Sequence, residues 1–285
     1  MSGKVLHNLL EKEKFLVMPG AYNAFTAKQI ALAGFPGVYV SGAAVANSLG
    51  VPDDGTLGLE DFLYMGGWIA KAVGVPVICD ADTGFQDINE TVRKYIGAGF
   101  SGMHIEDQVF PKKCGHLPGK KVIARNEMAA KIREACKVRD ELDPKFIIIA
   151  RTDARGASNI EDKDQLEECI TRGKSFLDAG AQMIFADALR SRDEFARYRE
   201  EVPGYLLASM SEFGKTPFIK TQEFREWGYN ILIFPVSLFR YHAGKTNEFL
   251  ARLKSDGNQE RLVSEMMSRE EINEYLDYRE KVESF

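Results

Sequence analysis

A single closed (β/α)8 barrel, a fold of the α/β class, is what this sequence predicts, on three observations. Eight short runs rich in β-branched residues alternate with longer amphipathic segments, a pattern that implies a parallel sheet with right-handed crossovers. Helical segments end on glycine just before the next strand at Ala33-Gly34, Ala98-Gly99, Ala179-Gly180 and Trp227-Gly228. Glycine takes the left-handed turn at a helix end without Cβ strain, so this recurrence marks repeated α-to-β connections. A doubly wound open sheet is the runner-up. Against it, no G-x-G-x-x-G follows the first strand, where Pro19-Gly20-Ala21-Tyr22-Asn23 stands instead.

The elements follow in order. Met1–Lys14 alternates charged and apolar residues and has no signal-peptide apolar core. Phe15–Ala21 reads as the first strand. Gln29–Pro52 carries no formal charge and has the length of a membrane span, but Gly34, Pro36, Gly37, Gly42, Gly50 and Pro52 interrupt it. A lipid-exposed helix would leave those backbone breaks unsatisfied, so the stretch divides into a helix end, a buried strand Gly37–Gly42 and a loop. Helical periodicity over Leu59–Val73 leads to a strand at Pro76–Asp82, and Ile88–Ala98 to one at Gly102–Gln108. Asn126–Leu142 then precedes Lys145–Asp153, Lys163–Ala179 precedes Gln182–Ala188, and Ser191–Val202 precedes Gly204–Glu212. Thr221–Trp227 leads to the eighth strand, Asn230–Ser237, and a helix over Leu238–Leu253 follows. A charged break at Ser255-Asp256-Gly257-Asn258 separates this helix from a helical tail, Glu260–Phe285, beyond what a minimal barrel of ~250 residues needs. Residues 1–285 thus form one domain, with 238–285 a helical region suited to subunit contacts.

Composition excludes several classes. The 285 residues carry 37 basic and 42 acidic side chains, a net charge of −5, with 45% hydrophobic and 28% charged residues. These are ordinary values for a globular protein and rule out disorder, collagen and a disulfide scaffold. No basic block is present to neutralise phosphates, so nucleic acid is not an expected partner. Cys79, Cys114, Cys136 and Cys169 form no C-x-x-C pair, which points to a reducing compartment and away from structural zinc. The expected location is the cytoplasm or an organelle matrix.

Barrel enzymes carry their chemistry at the C-terminal ends of the strands, where residues i and i+2 point the same way. Here Asp80-Ala81-Asp82 ends the third strand, His104-Ile105-Glu106 the fourth and Arg151-Thr152-Asp153 the fifth. Asp187 ends the sixth, and Ser209 with Ser211 the seventh. Converging carboxylates repel unless something neutralises them, and all-oxygen ligands select Mg²⁺ or Mn²⁺. The alternative is that these acids cap the helices that follow. His104 reads as a core histidine bonded beside Glu106.

Lys112-Lys113-Cys114-Gly115-His116-Leu117-Pro118-Gly119-Lys120 forms a loop after the fourth strand. Two lysines and a histidine around one cysteine would lower a thiol pKa, and the glycines would let the loop fold over a ligand. The alternative is a basic surface loop with an incidental cysteine. Cys79, Cys136, Cys169 and the methionines read as core, and neither His242 nor the pair Lys120-Lys121 draws a functional reading.

Taken together, these motifs resemble the isocitrate lyase/phosphoenolpyruvate mutase superfamily, closest to its 2-methylisocitrate lyases and carboxyphosphonoenolpyruvate-mutase-like proteins. The resemblance runs through Tyr39-Val40-Ser41-Gly42, Pro52-Asp53, Asp80-Ala81-Asp82-Thr83-Gly84-Phe85 and His104-Ile105-Glu106-Asp107-Gln108. It continues through Lys112-Lys113-Cys114-Gly115-His116, Ala150-Arg151-Thr152-Asp153-Ala154, Glu212-Phe213-Gly214-Lys215-Thr216-Pro217 and Phe234-Pro235-Val236-Ser237-Leu238-Phe239-Arg240.

The resemblance implies a barrel whose eighth helix is swapped between subunits, in a homotetramer of swapped dimers. It implies a Mg²⁺ ion, replaceable by Mn²⁺, on Asp80 and Asp82, with Asp53 and Glu106 contacting it through water. Ser41 and Gly42, with Arg151, would hold the 2-oxo-acid half of a small carboxylate substrate. Cys114 would protonate the carbanion left by carbon–carbon cleavage. Gly115, His116, the seventh strand and Arg240 would face the departing dicarboxylate, and Tyr39, which shares strand parity with Ser41, could take part in proton removal. The expected activity is cleavage of a 2-methylisocitrate-like 2-hydroxy di- or tricarboxylate to pyruvate and a dicarboxylate. Phosphonomutase chemistry of the carboxyphosphonoenolpyruvate type, oxaloacetate or 2,3-dimethylmalate cleavage, and a non-catalytic binding barrel are the alternatives. Two positions depart from the family. The sixth strand ends Phe185-Ala186-Asp187-Ala188 where F-x-E-A is usual, and the seventh reads Ala208-Ser209-Met210-Ser211-Glu212 where A-N-x-x-E is usual.

Overall fold

Strands and helices alternate through residues 2–113, 115 and 118–278, the part of the chain that the computed structural model describes. The strands are β1 (Leu16–Ala21), β2 (Val38–Val40), β3 (Val77–Asp80), β4 (Gly102–Glu106), β5 (Ile147–Thr152), β6 (Met183–Ala186), β7 (Tyr205–Ser209) and β8 (Ile231–Phe234). Each pairs in parallel with the next, and β8 returns to β1 through Leu16↔Ile231 to Pro19↔Phe234, closing the barrel. No sheet edge is left exposed, and the predicted fold class is the observed one. The first predicted strand loses only Phe15, and each of the other seven loses two or more residues, its C-terminal end among them, where the chain leaves the ladder at the barrel mouth.

The chain forms two compact units, Met1–Ser237 and Leu238–Phe285. In the first, α1 (Ser2–Glu13) precedes the barrel, followed by α2 (Ala24–Leu32), α3 (Gly42–Ser48), α4 (Leu59–Ala72) and α5 (Ile88–Gly97). The long α6 (Arg125–Leu142), α7 (Gln165–Asp178), α8 (Arg192–Glu201) and α9 (Thr221–Trp227) complete its helices. Residues Gly34, Gly99, Gly180 and Gly228, which follow four of them, have φ of +86°, +90°, +104° and +90°, so the sequence signal reflects a real left-handed requirement. Helix starts use side-chain caps: Asn23 accepts from the Thr26 N–H at 2.8 Å, and Asp87 from Asn89 at 2.8 Å. Such caps contribute about 1 kcal/mol each.

Alternation along the strands other than β4 puts Leu16, Met18, Tyr39, Ile78, Ile147, Ile149, Phe185, Leu207 and Ile233 in one core cluster, which Leu6 and Leu10 of α1 join. The alternating charged and apolar residues of the N-terminus are therefore one amphipathic helix covering the starts of the strands. Gly3 permits its close approach, since a Cβ there would lie 2.6 Å from the Lys145 backbone.

The second unit contains most of α10 (Ser237–Asp256), a 3-10 segment Glu260–Glu265 and α11 (Arg269–Tyr275). The tail is thus less continuous than its periodicity predicts. Ser268 accepts from the Glu271 N–H at 3.1 Å while Glu271 accepts from the Ser268 N–H at 2.6 Å, a capping box that starts a new short helix. No helix among the described residues is long and apolar enough to cross a membrane.

Candidate active site

Strand register builds the site. Asp80 pairs with His104 across β3 and β4, and Glu106 pairs with Arg151 across β4 and β5, so these side chains meet at the C-terminal mouth. The strand-end acids cap no helix: the caps with side-chain bonds in the first unit are Asn23, Ser41, Asp87 and Ser191. The capping alternative therefore falls away for Asp80, Asp82 and Glu106.

The carboxylates gather around one ammonium. Lys112 Nζ lies 2.5 Å from Asp53 Oδ1 and 2.6 Å from Asp82 Oδ1. Asp80 Oδ1 accepts from the Asp82 N–H at 3.0 Å, and Asp80 Oδ2 from the Gly42 N–H at 3.2 Å. A Cβ on Gly42 would sit 2.7 Å from Asp80 Oδ2, so glycine lets the carboxylate lie against the backbone. Burial lifts Asp82 to about 7 against the pull of Lys112, with Asp80 adding to the rise. Burial also pushes Asp80 upward, but the cations around it, Lys112 and Arg151 among them, hold it below the ordinary range. Glu106 is pushed well up by burial, and its Oε1 is buried without a hydrogen-bond partner.

Arg151 is the second centre. Its Nε and Nη2 donate to Asp153 at 2.8 and 3.1 Å, and Nη2 also donates to Asp187 Oδ2 at 2.9 Å. Nη1 lies 3.4 Å from Glu106 Oε2, and the guanidinium stacks 5.3 Å from the Phe185 ring. Asp153 is fully buried, yet the charges of Arg151 and Lys120 outweigh burial and hold its carboxyl far below the usual range.

Tyr39 lies inside the barrel and its hydroxyl is 2.6 Å from His104 Nε2. Burial, then the Asp80 charge, pushes the phenol well up, so it keeps its proton and donates to the imidazole. Burial lowers His104 to about 4, leaving it neutral at pH 7. His104 is the core histidine the sequence predicts, fully buried, with Tyr39 and, at 3.4 Å, Asp80 as its partners.

Several sequence readings change. Lys112, expected to lend charge to the loop thiol, has its ammonium against the carboxylates, while Lys113 is exposed and the thiol of Cys114 lies outside the described residues. Lys120, given no role by the sequence, is 1% exposed and pairs with Asp153 at 2.9 Å. Gln108 was missed as well: its side chain donates to the Lys113 carbonyl at 2.8 Å and accepts from its N–H at 3.0 Å. Behind them Asp107 bonds the Asp153 N–H at 2.8 Å and Arg172 at 2.9 Å. No local pattern announces these partners, which lie 33 and 65 residues apart for Lys120–Asp153 and Asp107–Arg172.

The remaining candidates divide. Ser41 caps α3 by accepting from the Ala44 N–H at 3.2 Å. Ser209 is buried at the end of β7, two residues beyond the Phe185↔Leu207 pair and level with Asp187. Gly115 is buried against Arg151 and Asp187, while Cys114 and His116 lie outside the described residues. Arg240 is exposed on α10 and belongs to the second unit.

A Cβ on Gly115 would stand 1.8 Å from Asp187 Oδ2, 2.6 Å from Arg151 Nη2 and 2.8 Å from Asp153 Oδ1. Those atoms are held by one another and cannot simply turn away. Gly115→Ala is therefore expected to lower kcat/KM by ~10²-fold through misplacement of reacting groups. Steady-state kinetics beside a thermal melt checks this; wild-type kinetics would show that the close approach is not needed in turnover.

The cluster suits a hard divalent cation. Its donors are carboxylate oxygens alone, one of them buried and unpartnered, and such a set fits Mg²⁺ or Mn²⁺ rather than zinc. Among the described residues, no three His, Cys, Asp or Glu side chains already stand in ligating geometry.

Known proteins resemble this chain along nearly its whole length. The family described as phosphoenolpyruvate phosphomutase matches residues 6–254. The 2-methylisocitrate lyase of Aeropyrum pernix is 40% identical over 279 residues, 97% of this chain and 87% of that protein. The 2,3-dimethylmalate lyase of Eubacterium barkeri is 38% identical over 275 residues, 95% of this chain and 92% of its own. Among solved structures, oxaloacetate acetylhydrolase in complex with the inhibitor 3,3-difluorooxalacetate superposes with a TM-score of 0.89 at 33% identity, covering 96% of this chain and 92% of that one. Phosphonopyruvate hydrolase in complex with oxalate and Mg²⁺ gives a TM-score of 0.85 at 27% identity, covering 97% and 95%.

Proposed function

Because the chain belongs to the phosphoenolpyruvate phosphomutase family, with named lyases among its relatives, we propose that it is a magnesium-dependent carbon–carbon lyase. Its substrate is a 2-hydroxy di- or tricarboxylate of the 2-methylisocitrate type, split into a 2-oxo acid, pyruvate, and a dicarboxylate. The observation that carries this reading is the convergence, at one barrel mouth, of a fixed Arg151 with the Asp53, Asp80, Asp82 and Glu106 carboxylates.

Asp80 and Asp82 would hold the metal directly, with Asp53 and Glu106 around it, and Mn²⁺ would serve as well. Bound there, the ion supplies Lewis-acid stabilisation of negative charge on substrate oxygen. Gly42 positions Asp80, and Arg151, always charged and clamped by Asp153 and Asp187, binds the 2-oxo-acid half and offsets charge developing on it. Tyr39, whose hydroxyl bonds His104 Nε2, would take part in removing the substrate hydroxyl proton. We assign to Cys114 the return of a proton to the carbanion of the leaving dicarboxylate, and to Gly115, His116 and Ser209 the recognition of that half. Dialysis against a chelator is expected to abolish activity, and Mg²⁺ or Mn²⁺ to restore it; full turnover of a metal-free preparation would overturn the mechanism.

The distal half of the substrate is where this chain differs. Asp187 is one methylene shorter than the usual Glu, and Ser209 lacks the amide pair of Asn. A site that loses directed hydrogen bonds to a polar group relaxes its preference for it. Weak cleavage of 2-methylisocitrate is expected, with better cleavage of a substrate whose distal group is bulkier or less acidic. The double variant Asp187→Glu with Ser209→Asn should raise methylisocitrate cleavage. An efficient wild type and an unimproved double variant would dispose of altered specificity while leaving the lyase reading intact.

Oxaloacetate and 2,3-dimethylmalate cleavage use the same machinery and are the neighbouring possibilities of this site. In the second unit, α10 buries none of its residues within this chain, and Tyr241 and Leu250 are 63% and 52% exposed. That supports a role for 238–285 in subunit contacts of a homotetramer. The cytoplasm is the proposed compartment.

A further inference from the structure

Lys112 stands where a cation is wanted. Its side chain is 4% exposed, and its ammonium contacts Asp53 and Asp82. Its one positive charge meets Asp53 and Asp82, Arg151 lies 3.4 Å from Glu106 Oε2, and Glu106 Oε1 still has no hydrogen-bond partner. We propose that the Lys112 ammonium is an internal counter-cation of this cluster, which a divalent cation displaces when it takes the same oxygens. The proposal rests on the reading of the cluster as a magnesium or manganese site.

Geometry and charge both favour exchange over sharing. An ammonium and a divalent ion drawn to the same oxygens repel each other at a few ångströms, so they compete rather than cooperate. The stem of lysine is long and flexible, and its head can swing without backbone movement. The backbone beside it is separately held, because Gln108 clamps both the N–H and the carbonyl of Lys113. Lys120 is the contrasting case. Its ammonium pairs with Asp153, outside the cluster, and its carbonyl accepts from the Ser158 N–H at 2.8 Å and Oγ at 3.0 Å. Displacement is thus specific to Lys112. Such an internal cation keeps a cluster of buried acids compatible with folding before the metal arrives.

Two measurements on the whole protein test this without reference to turnover. Calorimetric titration with MgCl2 compares the wild type with Lys112→Met, and amine-labelling mass spectrometry follows each lysine of the wild type with and without Mg²⁺. Removing the competing charge is expected to tighten Mg²⁺ binding by about tenfold or more, the scale on which one nearby charge shifts an ionic equilibrium. In the wild type, Mg²⁺ should raise labelling of Lys112 and leave Lys120 protected. Equal or weaker Mg²⁺ binding by Lys112→Met, or labelling of Lys112 indifferent to Mg²⁺, overturns the proposal while the metal site stands. A wild type that binds no Mg²⁺ overturns both. Should Lys112→Met fail to fold, the wild-type labelling decides alone.

Discussion

Replacing Cys114 by alanine or serine is expected to lower turnover by ~10²–10⁴-fold while substrate still binds, the range associated with loss of a positioned proton donor. The cleavage leaves a carbanion that must be protonated before the dicarboxylate departs, and a thiol is an acid strong enough to do so near neutral pH. The other cysteines are unsuited. Cys79, Cys136 and Cys169 are buried, with burial pushing each thiol up, to about 11 in Cys136. The neighbours of Cys114 are fixed at the site: Lys113 is clamped by Gln108, and Gly115 packs against Arg151 and Asp187. Presteady-state kinetics and product-inhibitor affinity measured together check the role. An alanine variant with wild-type turnover would remove it.

Substitution of Arg151 should have the next largest effect, and two replacements separate its two tasks. Arg151→Met leaves Asp153, Asp187 and Glu106 without their shared cation in a buried setting. Losing one partner of a buried ion pair costs about 3–5 kcal/mol, so a large fall in Tm is expected. Arg151→Lys keeps the charge but loses the planar fork that satisfies Asp153 through two nitrogens and Asp187 through one. It should fold, yet lose ~10²–10³-fold in kcat, the scale of one lost donor to developing charge. Wild-type kinetics in Arg151→Lys would mean that the guanidinium serves structure alone.

How far the sequence discloses this protein depends on the range of the interaction concerned. Strands and helix ends were legible because period-two alternation and the glycines at 34, 99, 180 and 228 are local consequences of backbone geometry. Asp80, Asp82, Glu106 and Arg151 were legible because strand ends at one mouth of a barrel must converge. Helix α3 was hidden in an uncharged stretch read as a loop: its alanines favour helix, but it is short, opens on Gly42 and carries no charged face to mark a helical period, and the Ser41 cap starts it. Lys120 was hidden for a different reason. Its burial depends on Asp153, 33 residues away, and a lysine beside another lysine reads as a solvated surface until that partner is placed. Lys112 was noticed for its charge beside Cys114, but its carboxylate partners were not. Its contacts with Asp53 and Asp82 join parts of the chain far apart in sequence, and no local pattern announces them.

The account is tested most directly by coupled detection of 2-oxo acid released from a panel of 2-hydroxy di- and tricarboxylates, with phosphonopyruvate and carboxyphosphonoenolpyruvate alongside. Stoichiometric release of pyruvate and a dicarboxylate from at least one carbon–carbon substrate, lost on chelation and restored by Mg²⁺, is the result this account requires. Turnover of a phosphonate with no cleavage of any carbon–carbon substrate would contradict it.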